Sequence, residues 1–164
     1  MLIRKALELD AKKIIEVMQD AEASGFMLYE PNERNIAPES LSKFIASMNA
    51  APKSGFFIAE VDGTILGYLL LKSENLARTS HRATIAIGVH SSSRGKGVGT
   101  QLFDYISDYA KAQQLHRLEL TVIENNDQAV HLYKKMGFEV EGVKRDSLLI
   151  KGQFANEYYM SKLL

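Results

Sequence analysis

Apolar residues along the chain recur with two different spacings, and each spacing predicts one type of element. Alternating or continuous apolar runs predict seven β-strands, and apolar residues three or four positions apart predict four α-helices. The predicted strands cover residues 2–5, 55–61, 64–72, 81–89, 117–122, 138–144 and 157–163. The predicted helices cover residues 11–23, a stretch that begins at 38, a stretch that ends near 113, and 126–136. Residues 25–37 follow neither period and are predicted to be irregular.

Turn and cap residues mark several of these boundaries. Asp62-Gly63 is typical of a two-residue hairpin turn between the second and third strands. Asp10 is placed to cap the first helix, Pro38 to open the second, and Gly137 to close the fourth.

The segment Arg94-Gly95-Lys96-Gly97-Val98-Gly99 follows an apolar strand and precedes a helical pattern. Glycines let consecutive backbone N–H groups converge on one point, and a helix N-terminus adds roughly half a positive charge there. A strand, a glycine-rich turn and a helix N-terminus in this order predict an anion site. The expected ligand is the phosphate or pyrophosphate of a nucleotide-bearing cofactor.

Other phosphate-binding patterns fit these glycines less well. A P-loop requires Gly-Lys followed by Ser or Thr, whereas Lys96 is followed by Gly97. A Rossmann fingerprint requires a third glycine where this chain has Thr100 and Gln101. Its acidic residue would be Glu119, which lies inside a predicted strand and not at its carboxyl end. A glycine-rich turn without a ligand is the plain alternative for this segment taken alone.

A second segment, residues 126–138, has the form N-x-x-A-x-x-x-Y-x-x-x-G-F, and residues 94–99 have the form R-x-x-G-x-G. Together, in this order and spacing, the two motifs resemble the GNAT superfamily of acyl-CoA-dependent N-acyltransferases. The resemblance extends along nearly the whole chain. Either motif alone would be a weak signal, whereas the pair is a strong one.

Composition and charge limit the classes of partner. The 164 residues are expected to form one domain, 1–164, with an ordinary globular composition of 46% hydrophobic and 24% charged residues. The formal net charge is zero, so no general basic field favours nucleic acid. No apolar stretch approaches the ~20 residues of a membrane span, and the N-terminus lacks a signal-peptide core. The sequence therefore predicts a soluble cytoplasmic protein that binds neither nucleic acid nor membrane.

The absence of cysteine bears on the mechanism. It excludes disulfides, thiolate metal sites and a cysteinyl acyl-enzyme. For an acyltransferase, the simplest consequence is direct transfer from the thioester to the acceptor in a ternary complex. No His-x-x-His or Cys-His cluster suggests a metal, and none is expected.

The resemblance implies a fold and a cofactor. The expected fold class is α/β, a single-domain mixed sheet that is mostly antiparallel, with a central parallel strand pair and about four flanking helices. The helical crossover between the strands at 81–89 and 117–122 independently predicts that parallel pair. In the family these two strands splay apart, and the arm of acetyl-CoA bonds to the backbone at the end of the first. The cofactor-binding residues implied are Ile87, Gly88, Val89, Arg94, Gly95, Lys96, Gly97, Val98, Gly99, Thr100 and Asn126.

Several of these residues also have a plain structural interpretation. Gly88 marks either a close approach of the cofactor to the backbone or simple crowding against a neighbour. Arg94 and Lys96 can be ordinary solvated cations, which is the usual state of such side chains. Asn126, at the start of a helix, is by default a cap.

Tyr133 is the predicted general acid. It lies about two helical turns after Asn126, so the two residues share one face of the helix. A tyrosine on that face is by default a core residue, but the resemblance places its hydroxyl beside the thioester sulfur. A phenol of pKa ~10 is protonated at neutral pH and can hydrogen-bond or protonate the leaving thiolate.

The sequence leaves the general base open. Several relatives supply a glutamate from the strand before the anion loop, but residues 81–89 contain no carboxylate. The leading candidates are Glu30, in the irregular segment, and His81, because an imidazole titrates near neutral pH. Glu74, Glu124 and a relay through water are further alternatives. The irregular segment is too long for a simple connector and is expected to form a lip over the substrate.

The function implied by the resemblance is transfer of an acetyl group from acetyl-CoA to a primary amine. The acceptor classes left open are an amino acid, a polyamine, a drug of the aminoglycoside type and a protein N-terminus. The alternative from another class is a non-catalytic acyl-CoA-binding module that senses the cofactor or joins a complex. The resemblance also allows a homodimer formed through the C-terminal strands.

Overall fold

The computed structural model describes all 164 residues. Its strands are β1 Leu2–Lys5, β2 Gly55–Val61, β3 Thr64–Ser73, β4 Arg82–Val89, β5 Arg117–Ile123, β6 Glu139–Ile150 and β7 Gln153–Leu163. Its helices are α1 Ala11–Glu22, α2 Pro38–Ala50, α3 Val98–Ala112 and α4 Asp127–Lys135. Single turns of 3-10 helix at Glu8–Asp10 and Ser91–Ser93 precede α1 and follow β4. None of the helices is both long and apolar enough to cross a bilayer.

The seven strands form one mixed sheet in the order β1-β2-β3-β4-β5-β7-β6. Neighbouring strands are antiparallel except for the central pair, β4 and β5, which are parallel. The α/β fold class predicted from the sequence is confirmed, including the parallel pair and the four helices.

Helices cover both faces of the sheet and create two apolar clusters. Successive side chains of a strand point to opposite faces. Phe56 and Ile58 of β2 therefore pack in the cluster beneath α1 and α2, whereas Phe57 and Ala59 pack in the cluster beneath α3 and α4. This double burial explains why residues 55–59 read as a continuous apolar run.

Most of the predicted turns and caps are confirmed. Asp62 and Gly63 both have positive φ, 49° and 77°, as a two-residue hairpin turn requires. Gly137, with φ of 88°, follows the end of α4, and Pro38 lies in the first turn of α2. Asp10 is the N-cap residue of α1, as predicted, but its side chain makes no cap bond to that helix. Its carboxylate accepts hydrogen bonds from Arg4 and from the backbone N–H of Leu7.

The C-terminal hairpin is longer than the sequence pattern indicated. The predicted strands ended at 144 and began at 157, whereas β6 and β7 continue to a tight turn at Lys151-Gly152, with φ of 50° and 77°. Most side chains of β6 are exposed or half-buried. A strand without a fully buried face lacks the apolar alternation by which strands are recognised.

Candidate active site

The two central strands diverge after a short paired stretch. β4 and β5 are in register only over residues 82–84 and 117–119. Beyond these rows β4 pairs only with β3, and β5 only with β7. The sheet therefore opens into a V towards the carboxyl ends of β4 and β5, and a cavity of about 1000 Å³ occupies the gap. The splay implied by the resemblance is present.

The glycine-rich loop lies at the wide end of this cavity. Gly95 and Gly97 have φ of 71° and 81°, in the left-handed region that favours glycine. A Cβ atom on either residue would meet no other atom within 4 Å, so the space in front of the loop is open. None of the backbone N–H groups of residues 95–100 donates a hydrogen bond within the protein. Adjacent free donors at the N-terminus of a helix are typical of an anion site.

The two cations of the loop lie in different environments. Arg94 lines the cavity, and its Nε donates a hydrogen bond to the carbonyl of Val89 at 3.3 Å, which holds the side chain beside the loop. Lys96 is exposed and does not line the cavity. Its position fits the plain alternative of a solvated cation.

Ile87, Gly88 and Val89 line the cavity at the end of β4. The absence of a side chain at Gly88 has a reason within the protein, because a Cβ atom there would meet Cε1 of Tyr68 at 2.5 Å. The pairing of β4 with β3 continues through Gly88 without a bulge. Crowding against Tyr68 is therefore sufficient to explain this glycine.

Asn126 and Tyr133 reach the cavity from the start and the middle of α4. Asn126 is a cap, since its Oδ1 accepts a hydrogen bond from the N–H of Ala129 at 3.3 Å. The ring of Tyr133 packs edge-on against Phe103, with centroids 5.6 Å apart, and its hydroxyl, which makes no hydrogen bond in the protein, is open to the cavity. Burial raises the pKa of Tyr133 above the ordinary value of 10, so the phenol keeps its proton at neutral pH.

The face of the sheet that carries α1 supplies a second wall of the cavity. Residues that lie opposite one another on neighbouring strands point to the same face of the sheet. The register of β4 with β5 and of β5 with β7 therefore brings side chains of all three strands to this wall. The polar residues concerned are Thr84, Glu119, Thr121, Glu157 and Tyr159. The chamber is completed by apolar residues of the irregular segment and of β6, namely Phe26, Met27, Leu28 and Leu148. The lip expected from the sequence thus contributes to the cavity.

The two candidate bases from the sequence lie outside this cavity. Glu30 lines a smaller neighbouring cavity of about 170 Å³, and its N–H donates a hydrogen bond to Glu33 at 2.8 Å. His81 precedes β4 at the narrow end of the V, where its carbonyl accepts hydrogen bonds from the N–H groups of His116 and Arg117. The structure therefore brings neither residue into the cavity that holds Tyr133. A role of Glu30 or His81 as the general base stays a prediction, and their positions outside the cavity do not favour it.

Residues 15–138 match the model of the acetyltransferase (GNAT) family. The match covers well over half of the chain and includes β4, the glycine-rich loop, β5 and α4. The chain belongs to the GNAT acetyltransferase family.

Two relatives of this GNAT acetyltransferase act on different amines. The L-amino acid N-acetyltransferase AaaT of Escherichia coli (strain K12) is 34% identical over 107 residues, which are 65% of this chain and 66% of the relative. The spermidine N(1)-acetyltransferase of the same organism is 33% identical over 105 residues, 63% of this chain and 55% of the relative. The match therefore spans less than two thirds of the length of either relative.

Solved structures show the same architecture. An acetyltransferase of the GNAT family from Streptococcus pneumoniae superposes with a TM-score of 0.93 at 26% identity, over 99% of both chains. A phosphinothricin acetyltransferase from Sinorhizobium meliloti, solved in complex with acetyl-CoA, gives a TM-score of 0.88 at 18% identity. That match covers 99% of this chain and 88% of the other, and it shows the fold alone.

One feature of the sequence could have indicated the second wall of the cavity. Residues 118–122 alternate as Leu-Glu-Leu-Thr-Val. A central strand covered on both faces reads instead as a continuous apolar run. Polar residues at Glu119 and Thr121 in the middle of the sheet therefore indicate that a site lies on that face. Glu157 gave no such sign, since it begins a predicted strand.

Proposed function

We propose that this protein transfers an acetyl group from acetyl-CoA to a primary amine by direct attack in a ternary complex. The observation that carries the proposal is the row of unpaired backbone N–H groups at residues 95–100, at the mouth of a cavity that also contains Tyr133. Free donors at a helix N-terminus bind a pyrophosphate. The gap between β4 and β5 has no strand in it and accommodates the pantetheine arm.

Most of the predicted cofactor residues have a part that their position supports, whereas the side chain of Lys96 lies outside the cavity. The amides of residues 95–100 would bind the pyrophosphate, with Arg94 adding charge beside them. The backbone at residues 87–89 would hold the arm, because β4 has no strand partner on that side there. Asn126 uses its Oδ1 as a cap, which leaves its Nδ2 for the arm. Acetyl-CoA, when bound, supplies an activated acyl thioester.

Tyr133 would act on the departing sulfur. Its phenol is protonated because burial raises its pKa, and its hydroxyl has no competing partner in the protein. Proton transfer from this hydroxyl to the thiolate would prevent the thiolate from attacking the new amide. A free, protonated hydroxyl in the cavity favours an enzyme over a silent acyl-CoA-binding module.

The amine acceptor is supported by the relatives and by the cavity. Relatives of the chain acetylate L-amino acids and spermidine, both of which carry primary amines. The second wall combines apolar side chains with the carboxylates Glu119 and Glu157, which attract an ammonium ion. Chemistry of this kind suits a small amine.

The test is release of thiol from acetyl-CoA, followed with a chromogenic disulfide in the presence of amino acids, polyamines, aminoglycosides and short peptides. The protein contributes no background, because it contains no cysteine. We expect amine-dependent thiol release and an equal amount of acetylated amine by mass spectrometry. A rise in melting temperature with acetyl-CoA but no release with any amine would instead support the silent module.

A further inference from the structure

An amine acceptor is an ammonium ion at neutral pH and must lose a proton before its nitrogen can attack a thioester. β4, which precedes the loop, contains no carboxylate. Among the residues that line the cavity, only Glu119 and Glu157 are acidic. These two carboxylates are therefore the ones that can meet an acceptor inside the cavity.

Glu119 is already engaged by arginines. Nε of Arg117 donates a hydrogen bond to its Oε2 at 2.8 Å, and Nε of Arg82 lies 3.9 Å from its Oε1. The arginines therefore compete with an acceptor ammonium ion for this carboxylate. Glu119 also pairs with Thr84 in the last row that joins β4 to β5, at the narrow end of the V.

Glu157 lies at the wide end of the V and has a free oxygen. It pairs with Ile123, the last residue of β5, three positions before the helix cap Asn126. Glu157 is buried, with 9% of its surface exposed. Its Oε1 accepts a hydrogen bond from Oγ of Ser147 at 2.9 Å, and its Oε2 has no hydrogen-bond partner. The nearest cation is the Nζ of Lys144, 3.8 Å from Oε1 on a side chain that is 45% exposed.

An irregularity in β6 places Ser147 within hydrogen-bond distance of Glu157. Lys144 pairs with Glu157 and Leu148 with Ala155, so residues 145–147 lie opposite the single residue Asn156. Asp146 has φ of 50°, and its N–H donates a hydrogen bond to Oδ1 of Asn156 at 2.9 Å, which fixes the extra residues. Extra residues in a strand bend it and redirect its side chains. Here Ser147 is directed to the carboxylate and Leu148 to the cavity.

We propose that Glu157 is the general base for the acceptor amine and that Ser147 is the residue that positions it. The assignment rests on the proposed function. Oε2 of Glu157 accepts one proton from the ammonium ion, and the nitrogen lone pair forms the C–N bond at the thioester carbon while the π pair of the C=O bond moves to its oxygen. The C=O bond then forms again as the C–S bond breaks, with the C–S electron pair going to sulfur, which takes the proton of Tyr133. The nitrogen loses a second proton, which restores the Tyr133 phenol through water, and Glu157 releases its proton to solvent.

The experiment compares Glu157→Gln with Glu119→Gln and Glu139→Gln, using the best amine and saturating acetyl-CoA. Glu139 is an exposed carboxylate on the same hairpin outside the cavity. We expect Glu157→Gln to lower kcat by about 10²–10⁴-fold, with an unchanged rise in melting temperature on addition of acetyl-CoA. The acidic limb of the kcat/KM profile should disappear in this variant, whereas Glu139→Gln should behave as the parent. Lys144 on β6, the cation closest to Glu157, is unchanged in Glu157→Gln.

Ser147 is tested as a positioning residue by rescue. Ser147→Ala should lower kcat less than Glu157→Gln and shift the acidic limb, and Ser147→Thr, which restores a hydroxyl, should recover most of both. If Glu157→Gln turns over within threefold of an active parent, Glu157 is not the general base, although the proposed function stands. A large loss of kcat in Glu119→Gln alone would lead to the same conclusion. Inactivity of the parent towards every amine would overturn the proposed function together with the assignment.

Discussion

Tyr133 illustrates how a single residue can satisfy both the core and the site. Its ring contacts Phe103 and Phe138, with centroids 5.6 and 6.3 Å away, so the side chain is part of the cluster beneath α3 and α4. Its hydroxyl makes no hydrogen bond in the protein, and it is not one of the fully buried polar atoms that lack a partner, so it meets the open space of the cavity. A ligand in that cavity can therefore reach it.

The substitution Tyr133→Phe separates the two roles. It keeps the ring, so thermal stability and the affinity for acetyl-CoA should change little, while the proton donor is lost. General acid–base catalysis contributes about 10²–10⁴-fold, and because water can replace part of it we expect kcat to fall by roughly ten- to a thousandfold. The KM for acetyl-CoA should change less than kcat.

Steady-state kinetics on the best amine provides the measurement. Tyr105→Phe is the matched control, because Tyr105 lies on α3, makes no hydrogen bond through its hydroxyl and does not line the cavity. A kcat for Tyr133→Phe within twofold of the parent, with chemistry rate-limiting, would show that Tyr133 serves only the core.

Among the elements, the unit formed by β4, the loop and α3 carries the proposed cofactor site. The loop reverses through two glycines with positive φ and leaves the amides at the start of α3 unpaired. Unpaired amides at a helix start are ordinarily satisfied by a side-chain cap or by water. α3 has no side-chain cap, since its N-cap residue is Gly97. An anion can therefore occupy the position that a capping side chain would take.

Gly97→Glu tests this element. The substituted side chain would enter the open space in front of the amides and place a negative charge where we propose that the pyrophosphate binds. We expect the rise in melting temperature caused by acetyl-CoA, which follows from binding to the folded state alone, to be abolished. Thermal denaturation with and without acetyl-CoA is the measurement.

Gly152→Glu provides the control for backbone strain. Gly152 also has positive φ, 77°, and open surroundings, but it lies in the turn between β6 and β7. Both substitutions force a side chain into the left-handed region, which costs about 1–2 kcal/mol. Only Gly97→Glu should lose the response to acetyl-CoA, and an equal response in the two variants would contradict the phosphate site.

The contact between β3 and β4 makes a separate prediction. A Cβ atom at Gly88 would overlap the ring of Tyr68, which is buried beside Phe56 with ring centroids 5.8 Å apart. We expect Gly88→Ala to lower the free energy of unfolding by about 1–3 kcal/mol, as overpacking does. In a double-mutant cycle measured by urea denaturation, the loss should be smaller in a Tyr68→Leu background. If the losses of stability from Gly88→Ala and Tyr68→Leu are additive, overlap with the Tyr68 ring does not cause the loss in Gly88→Ala.

At the scale of the whole molecule, ion pairs connect strands that are not neighbours. Arg117 of β5 reaches across β7 to Glu141 of β6, with Nη1 and Nη2 at 2.5 and 2.8 Å from the two carboxylate oxygens. Hydrogen bonds from Arg117, and then from Ser161, lower the pKa of Glu141 from 4.5 to about 2. Because the side chain of Glu141 is 45% exposed, solvent screens the pair and its contribution to stability is modest.

This pair predicts a direction for the dependence of stability on pH. A carboxyl group whose pKa is lowered by folding stabilises the protein above its unfolded pKa. That stabilisation is lost as pH falls from about 4.5 to about 2. The melting temperature of Glu141→Gln should therefore lie below that of the parent at pH 7, and the difference should shrink towards pH 2. Calorimetry across this range is the measurement, and a difference that grows on acidification would contradict the prediction.

Glu139→Gln is the control for the pH dependence. Glu139 lies two positions earlier on β6, is exposed and makes no ion pair. Glu139→Gln therefore removes one negative charge, as Glu141→Gln does, but breaks no ion pair. Its difference from the parent should be small at every pH.

The sequence by itself determined most of the elements and the conformation of the glycine-rich loop. Strand and helix periods, the turn at Asp62-Gly63 and the glycines at 95 and 97 depend on interactions within a few residues. The order of the motifs was enough to indicate the parallel pair, because a strand–helix–strand connection imposes it. The long C-terminal hairpin escaped prediction, since β6 is mostly exposed and shows no buried face.

Only the tertiary structure decided which polar residues share the cavity with Tyr133. Thr84, Glu119 and Glu157 belong to three strands and reach one wall through the register of β4 with β5 and of β5 with β7. Strand register between distant segments is set by packing and by bulges, such as the extra residues 145–147 of β6, and no local pattern encodes it. Glu30 and His81 were reasonable candidates by chemistry, but the fold directs both away from the cavity that holds Tyr133.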